Sequence, residues 1–286
     1  MKMELVSLVN REAQTSNTAV YRKDLPKAGC YSAIDVGIRV TNGATSALNM
    51  SPIDLIKRIA LVVDGNENRI YVTGNELFRH NWMKSGQPMS YNFTEAASGV
   101  QEVWFRLEFG RFLGDQMYGL DLSKFDNVQV QVDYDCTIWG AVAATTFTTG
   151  TFAVTLQAHQ FPINRRPSFR GMIGLREFYT GTTATSGELV LNLPSNRPVT
   201  ALSIAALCDN VDEWADITDI RIGKDNFAST WINNKCYNLQ KIQNEPITVR
   251  ELCHNLLLSD NASKDTFVAN IKAVLLNPRT FVLAVA

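Results

Sequence analysis

The sequence predicts an all-β protein with a few short helices, built from two antiparallel halves. Three observations lead to this fold class. Apolar and polar residues alternate in many short segments, a pattern typical of strands with one buried face. A proline-rich segment at residues 161–171 lies between halves of similar pattern. A weak internal repeat also relates the halves. Because parallel sheets give continuous apolar runs instead, the alternation favours antiparallel sheets.

The first half contains four clearly alternating segments. We predict from each of them a strand with one buried face. The residues of these faces are Ile34, Val36, Ile38 and Val40; Leu61 and Val63; Val103, Phe105, Leu107 and Phe109; and Val128, Val130, Val132 and Tyr134.

The second half continues in the same style. Four more segments alternate, and the last of them closes the sequence. The apolar residues that define these predicted strands are Leu189, Leu191 and Leu193; Leu202 and Ile204; Ile220 and Ile222; and Phe281, Leu283 and Val285.

The segment FPINRRPSFRG, residues 161–171, has two prolines and three arginines. Proline at this density disfavours a central strand and suits a linker. The chain has 286 residues, which is long for one hydrophobic core because single cores stop growing at about 250–300 residues. We therefore predict a first domain at 1–160, a linker at 161–171 and a second domain at 172–286.

Helical signals are few and short. Asn75 is predicted to cap one helix, and Asn234 a second. A third candidate covers 248–258, where Thr248 and Glu251 have the spacing of a capping box. Residues 265–276, DTFVANIKAVLL, fit a helix and a strand equally well.

The internal repeat appears when the sequence is shifted by 159 positions. LVVDGN, residues 61–66, then aligns with IRIGKD, residues 220–225, and Gly74 and Asn75 align with Asn233 and Asn234. Each half is thus predicted to contain a strand, a polar turn, a strand and a short helix.

The turn DGNEN, residues 64–68, has the acidic and amide spacing with which a calcium loop begins. Such a loop needs glycine at its sixth position and glutamate at its twelfth, but these are Arg69 and Asn75. Asp64 and Gly65 instead tolerate the positive φ of a tight hairpin. We interpret the segment as a turn, with a weakly bound surface cation as a minor alternative.

Composition gives no support to some functional classes. The net charge of −1 gives no basic surface typical of nucleic-acid binding. No segment has the roughly 18 apolar residues of a membrane span, and the start, MKMELVSLVNR, is not a signal peptide. The five scattered cysteines, Cys30, Cys136, Cys208, Cys236 and Cys253, indicate buried, reduced thiols made in a cytosol.

Catalytic and metal-binding patterns are missing from the sequence. His80, His159 and His254 are too far apart to form a paired zinc or iron motif. The carboxylate pairs Asp133 and Asp135, and Asp209 and Asp212, are interpreted as solvated. We expect Trp104, Trp139, Trp214 and Trp231 to pack in a core or an interface, because their spacing suggests no stacking platform. We predict no catalytic residue, no metal site and no cofactor.

Three segments carry a resemblance to a known family. They are IKRIALVVDGNENRIYVTGNELFRHN (56–81), EVWFRLEFGRFLGDQMYGLDLSKFDNVQVQVDYD (102–135) and the run that begins SFRGMIGLREFY at residue 168. In their order they resemble the double jelly-roll major capsid proteins of tailless icosahedral phages with an internal membrane, of the corticovirus and finnlakevirus type. Residues 246–278 depart from that family's strand order.

This resemblance implies two tandem eight-stranded antiparallel jelly rolls and no catalysis. It further implies a homotrimer that forms a pseudo-hexameric capsomer, contacts neighbouring trimers and a vertex (penton) protein, and builds a shell over a lipid membrane. The chain would be found in the virion, and in the host cytoplasm before assembly. The N-terminal segment is predicted either to contact the membrane as a helix or to complete a jelly roll as a strand.

Two alternatives remain. A β-sandwich carbohydrate-binding module or a virion spike protein would show an exposed aromatic or polar cleft. A jelly-roll metal enzyme would contain stoichiometric metal.

Overall fold

The structure is a computed structural model that describes residues 3–44, 51–85, 89–94, 96–137, 147–180, 189–193, 199, 201–205, 219–224, 229–235 and 280–284. Strands dominate it, which confirms the predicted all-β class. The strands of the first half are β1 (Glu4–Ala13), β2 (Thr18–Asp24), β3 (Cys30–Thr41), β4 (Ile56–Val63), β5 (Glu67–Val72), β6 (Tyr91–Asn92), β7 (Val100–Glu108), β8 (Leu120–Asp121), β9 (Val128–Asp135) and β10 (Ala153–Gln160). The helix α1 (Gly74–Ser85) and short 3-10 turns at Leu122–Lys124 and Ile163–Arg165 complete this half.

The eight long strands of the first half form two sheets. The first sheet has the order β1-β10-β3-β7-β6, with β8 paired to β3, and the second has the order β2-β9-β4-β5. All these pairings are antiparallel. Because β1 and β2 lie in different sheets and β9 and β10 fall between earlier strands, the chain follows a jelly-roll path.

The core lies between the two sheets, where the alternating residues point inward. All four predicted faces are buried: Val36, Phe105 and Val130, for example, are fully enclosed. In β3, however, the outward-facing Ala33, Asp35 and Gly37 are buried too, so this strand does not have the single buried face that was predicted.

The outward face of β3 is buried because the outward-facing side chains of β7 lie across it. A Cβ on Gly37 would be 2.9 Å from the ring of Trp104, and Arg106 binds Asp35 beside it. Small and charged residues on β3 therefore make room for a tryptophan and an arginine. The alternation in β3 could not show this, because the cover comes from a distant segment.

The helix α1 begins two residues after the end of β5, but its cap differs from the prediction. The side chain of Thr73, and not that of Asn75, accepts a hydrogen bond from the Glu76 amide at 3.2 Å. Glu76 in turn accepts one from the Thr73 amide at 3.0 Å, which completes a capping box. Asn75 donates instead to the carboxylate of Asp54.

The turn between β4 and β5 has the predicted backbone. Asp64 has φ 50° and Gly65 has φ 79°, as a tight hairpin requires. The Asp64 carboxylate accepts a hydrogen bond from the Asp126 amide at 2.8 Å. Asp64 therefore has a structural role at this turn, where it joins two neighbouring loops.

The described strands of the second half are β11 (Ala201–Ala205), β12 (Asp219–Lys224), β13 (Ser229–Lys235) and β14 (Thr280–Ala284). Antiparallel pairs form between β11 and β14 and between β12 and β13. Three of the four predicted strands are thus confirmed. The prediction for Leu189, Leu191 and Leu193 was wrong: 189–193 form no strand, and Leu189 and Leu191 are exposed.

The repeat holds only in part. The β12–β13 hairpin matches the β4–β5 hairpin, as the shift of 159 positions predicts. Asn233 and Asn234, however, still lie in β13, whereas their counterparts Gly74 and Asn75 lie in α1. The helix predicted after Asn234 and the segments 248–258 and 265–276 lie outside the described residues, and the strand count of the second half stays a prediction.

Candidate functional site

The described residues contain no cluster of three or more side chains that could hold a metal ion. Within the same part of the chain, no helix is long and apolar enough to span a membrane. A cleft of about 310 Å³ lies between residues 24–27 and 122–128. Its Asp24 carboxylate already accepts a hydrogen bond from Gln129 at 2.8 Å.

One polar cluster lies on the outward face of the first sheet. Arg106 donates to Asp35 through Nε at 2.6 Å and through Nη2 at 2.8 Å, and His159 Nε2 lies 2.8 Å from the same carboxylate. Burial alone would raise the pKa of Asp35, but the hydrogen bonds from Arg106 and His159 outweigh it and hold that pKa below its ordinary value. The cluster joins β3, β7 and β10.

The other predicted residues occupy structural positions. His80 lies within α1, where burial and the charge of Lys84 lower its pKa to about 4, so it is neutral at physiological pH. Cys30 and Cys136 are buried free thiols. Burial and the nearby Asp135 raise the pKa of Cys136 to about 12, so its reactive thiolate is not formed at neutral pH.

Of the predicted carboxylate pairs, Asp133 and Asp135 lie on the outward face of β9. Asp135 is bound by Lys57 Nζ at 2.7 Å and by the hydroxyls of Thr18 and Thr137, and these hydrogen bonds lower its pKa. The residues Asp209, Asp212, His254, Cys208, Cys236, Cys253, Trp139 and Trp214 lie outside the described part of the chain, as does the side chain of Trp231.

The outer edge of β7 is covered by other parts of the chain. β6 pairs with it at Val103, and the Ser90 carbonyl accepts from the Trp104 amide at 3.0 Å. Further along, the side-chain amide of Asn81 donates to the Arg106 carbonyl and accepts from the Arg106 amide, both at 2.8 Å. One side chain from α1 thus replaces a strand at this edge.

The edge of β5 is covered by residues 174–177. The Tyr71 amide donates to the Leu175 carbonyl at 2.8 Å, and the Glu177 amide donates to the Tyr71 carbonyl at 2.8 Å. Glu177 also forms an ion pair with Arg58, whose guanidinium lies 4.4 Å from the centre of the Tyr71 ring. Residues directly after the predicted linker therefore complete a sheet of the first half.

Two loops form a surface at one end of the first half, which we call the end platform: residues 109–119 and residues 161–171. Both loops are fixed to the start of β3. The Phe109 amide donates to the Ser32 carbonyl at 3.0 Å, and the Phe161 amide donates to the Cys30 carbonyl at 2.9 Å.

The two loops are also joined to each other. The Arg170 amide donates to the Met117 carbonyl at 2.8 Å, and the Gly119 amide donates to the Gly171 carbonyl at 3.0 Å. Phe161 and Phe169 pack edge to face with ring centres 5.7 Å apart. The sequence showed the three arginines of 161–171 but not their setting, because the partner loop lies about fifty residues earlier.

Comparisons with known proteins identify the fold of this chain. No family model matches the sequence, and no curated protein matches it. Among solved structures, the major capsid protein of Sulfolobus Turreted Icosahedral Virus matches with a TM-score of 0.61 and 13% identity, over 85% of this chain and 80% of that one. An atomic structure of the same virus contains a chain that matches with a TM-score of 0.62 and 12% identity, over 85% and 75%.

A third match, the major capsid protein P2 of bacteriophage PM2, has a TM-score of 0.48 and 14% identity, over 85% of this chain and 78% of that one. The fold assignment depends on the first two matches. The chain has the fold of the double jelly-roll major capsid proteins of viruses, as its resemblance predicted.

Proposed function

We propose that this protein is a major capsid protein of an icosahedral virus, with a structural role and no catalysis. The observation that carries the proposal is the fold, which a viral major capsid protein matches over 85% of the chain. A protein of this kind needs broad faces for association. A net charge of −1 also favours association of like chains.

We further propose two jelly rolls at 1–160 and 172–286, joined by the linker at 161–171. Three such chains contain six similar units, so a homotrimer can occupy a nearly six-fold position in a shell. Its partners would be neighbouring trimers and a vertex protein, with a lipid vesicle inside. The virion would be the final location, after synthesis in the host cytoplasm.

The covered edges of β5 and β7 support association through faces. An open, flat sheet edge is a template for pairing with other chains, and such pairing gives fibres more readily than closed shells. Because other segments of the chain occupy these two edges, backbone pairing of another copy with β5 or β7 is blocked.

Analytical ultracentrifugation of the purified chain tests the proposal. We expect a trimer, and we expect electron microscopy to show pseudo-hexagonal particles or shells. A stable monomer that binds glycans on an array would contradict the capsid proposal and favour a carbohydrate-binding module instead.

A further inference from the structure

The end platform concentrates positive charge. Its loop 161–171 contains Arg165, Arg166 and Arg170 and no acidic residue. All three arginines are exposed, and within the described residues none of their side chains has an ion-pair or hydrogen-bond partner. The nearby Arg111 differs, because its guanidinium is bound to Asp115 at 2.7 and 3.0 Å. Three guanidinium groups are thus free to bind an anionic partner.

The same platform exposes two large apolar side chains. Phe112 is 58% exposed and Ile163 is 67% exposed, whereas Phe109, Phe161 and Phe169 beside them are buried. Single exposed apolar residues are common on protein surfaces. Here, however, each of the two joined loops presents one of them next to arginines.

The loops that present these side chains are ordered by their own contacts. The Gly114 amide donates to Ser32 Oγ at 2.7 Å, and Lys124 Nζ donates to the Phe169 carbonyl at 3.1 Å. Because the loops are already fixed, their exposed side chains can bind a partner with little further loss of backbone entropy.

We propose that the end platform binds the surface of an anionic lipid bilayer. Phe112 and Ile163 enter the boundary between headgroups and acyl chains, and the three arginines bind lipid phosphates. A soluble anion or a nucleic acid would match the arginines, but it would leave Ile163 in water. This inference rests on the proposed shell over a lipid vesicle, and it goes further by naming the surface that faces the lipid.

The proposal also orients the first jelly roll. The platform lies where β3 starts and where β7 and β10 end. This end therefore faces the lipid, and the opposite end, where β3 ends and β7 starts, faces away from it.

Vesicle flotation of the purified full-length protein tests the proposal. The probes are vesicles of phosphatidylcholine alone and of phosphatidylcholine with phosphatidylglycerol. We expect binding to the anionic vesicles only, weakened by salt. Each of Arg165→Gln, Arg166→Gln and Arg170→Gln should lower the partition coefficient about fivefold, since one basic residue near the surface contributes about 1 kcal/mol.

The matched control is Arg11→Gln, because Arg11 is equally exposed but lies towards the far end of β1. It should bind as the unchanged protein does. Phe112→Ser and Ile163→Ser should weaken binding at every salt concentration, because they remove apolar insertion and leave the charge unchanged.

The proposal would be overturned by no binding, by equal binding to neutral vesicles, or by equal losses in Arg11→Gln and the platform variants. Displacement by inorganic phosphate beyond that by chloride at equal ionic strength would indicate a phosphate-ion site and would also overturn it. A trimer that fails to bind vesicles would contradict only this inference, whereas a monomer that binds them would contradict only the capsid proposal.

Discussion

Arg106 and Asp35 form a two-point ion pair across the outward face of the first sheet, with contacts of 2.6 and 2.8 Å. The Asp35 side chain is only 10% exposed and that of Arg106 only 23%. The pair joins neighbouring strands at opposed positions of the register. A carboxylate this far from water depends on its partners for compensation of its charge.

The folded protein should therefore be strongly destabilised when Asp35 loses its arginine partner. We expect Arg106→Met to lower the free energy of unfolding by about 3 kcal/mol, because it leaves a buried charge with only His159 as partner. The double variant Asp35→Asn/Arg106→Met should recover part of this loss. Chemical denaturation measures both.

The control for this prediction is the pair of Lys23 and Glu12, whose side chains are 41% and 48% exposed. Lys23→Met should cost less than about 1 kcal/mol, as is usual for surface pairs. Equal losses of unfolding free energy in Arg106→Met and Lys23→Met would show that burial of Asp35 does not cause the destabilisation.

The capping box at Thr73 gives a second prediction. Thr73→Ala should lower the free energy of unfolding by about 1 kcal/mol, because the Glu76 amide loses its acceptor. Thr73→Ser keeps the hydroxyl and should retain most of the stability. If serine were as harmful as alanine, the methyl group and not the cap would be the stabilising feature.

The carboxylate of Asp135 predicts a dependence on pH. Its pKa in the folded state is below its ordinary value, so the unfolded chain binds a proton more readily than the folded chain. The stabilisation by Asp135 is present above the unfolded pKa of about 4 and is lost as the pH falls through the folded pKa.

Thermal unfolding between pH 7 and pH 3 measures this effect. The loss of stability on acidification should be smaller in Asp135→Asn than in the unchanged protein. Asp133→Asn is the matched control, because Asp133 lies on the same face of β9 and has no side-chain hydrogen bond within the described residues. An unchanged pH profile in Asp135→Asn would contradict the assignment.

The segment that covers the edge of β5 gives a further prediction, in which substitutions of Gly174 and Gly171 should have different effects. A Cβ on Gly174 would overlap the Arg69 carbonyl oxygen, whereas a Cβ on Gly171 would meet nothing within 4 Å. Gly174→Ala should therefore displace residues 174–177 from β5 at a cost of about 1–3 kcal/mol. Hydrogen exchange at the Tyr71 amide should accelerate.

Gly171→Ala should leave that amide protected. Equal exchange in both variants would show that the segment 174–177 does not protect the edge of β5. An increased tendency to aggregate in Gly174→Ala would further indicate that the edge had opened.

Much of the first half could be predicted from the sequence because its strands alternate so regularly. Local pattern also located the Asp64–Gly65 turn, since only a few residues accept its backbone. The cap of α1, however, was predicted at Asn75 instead of Thr73, although Thr73 and Glu76 have the spacing of a capping box. Residues 189–193 alternate as a strand would but form no strand, which shows that periodicity alone does not ensure pairing.

The candidate surface was harder to predict. The Asp35 cluster joins residues of three strands, and the end platform joins loops far apart in sequence. Such contacts follow from the path of the chain through both sheets, which no local pattern contains. The one signal of the end platform in the sequence was the group of three arginines in residues 161–171, a segment without an acidic residue.

The position of residues 174–177 also has a consequence for synthesis. Domains generally fold in order as the chain emerges from the ribosome. A nascent chain that ends at residue 160 would have both sheets of its first half but would leave the Tyr71 edge bare. The first half is therefore complete only after the next seventeen residues have emerged, so the predicted boundary in sequence is not the point at which folding of that half ends.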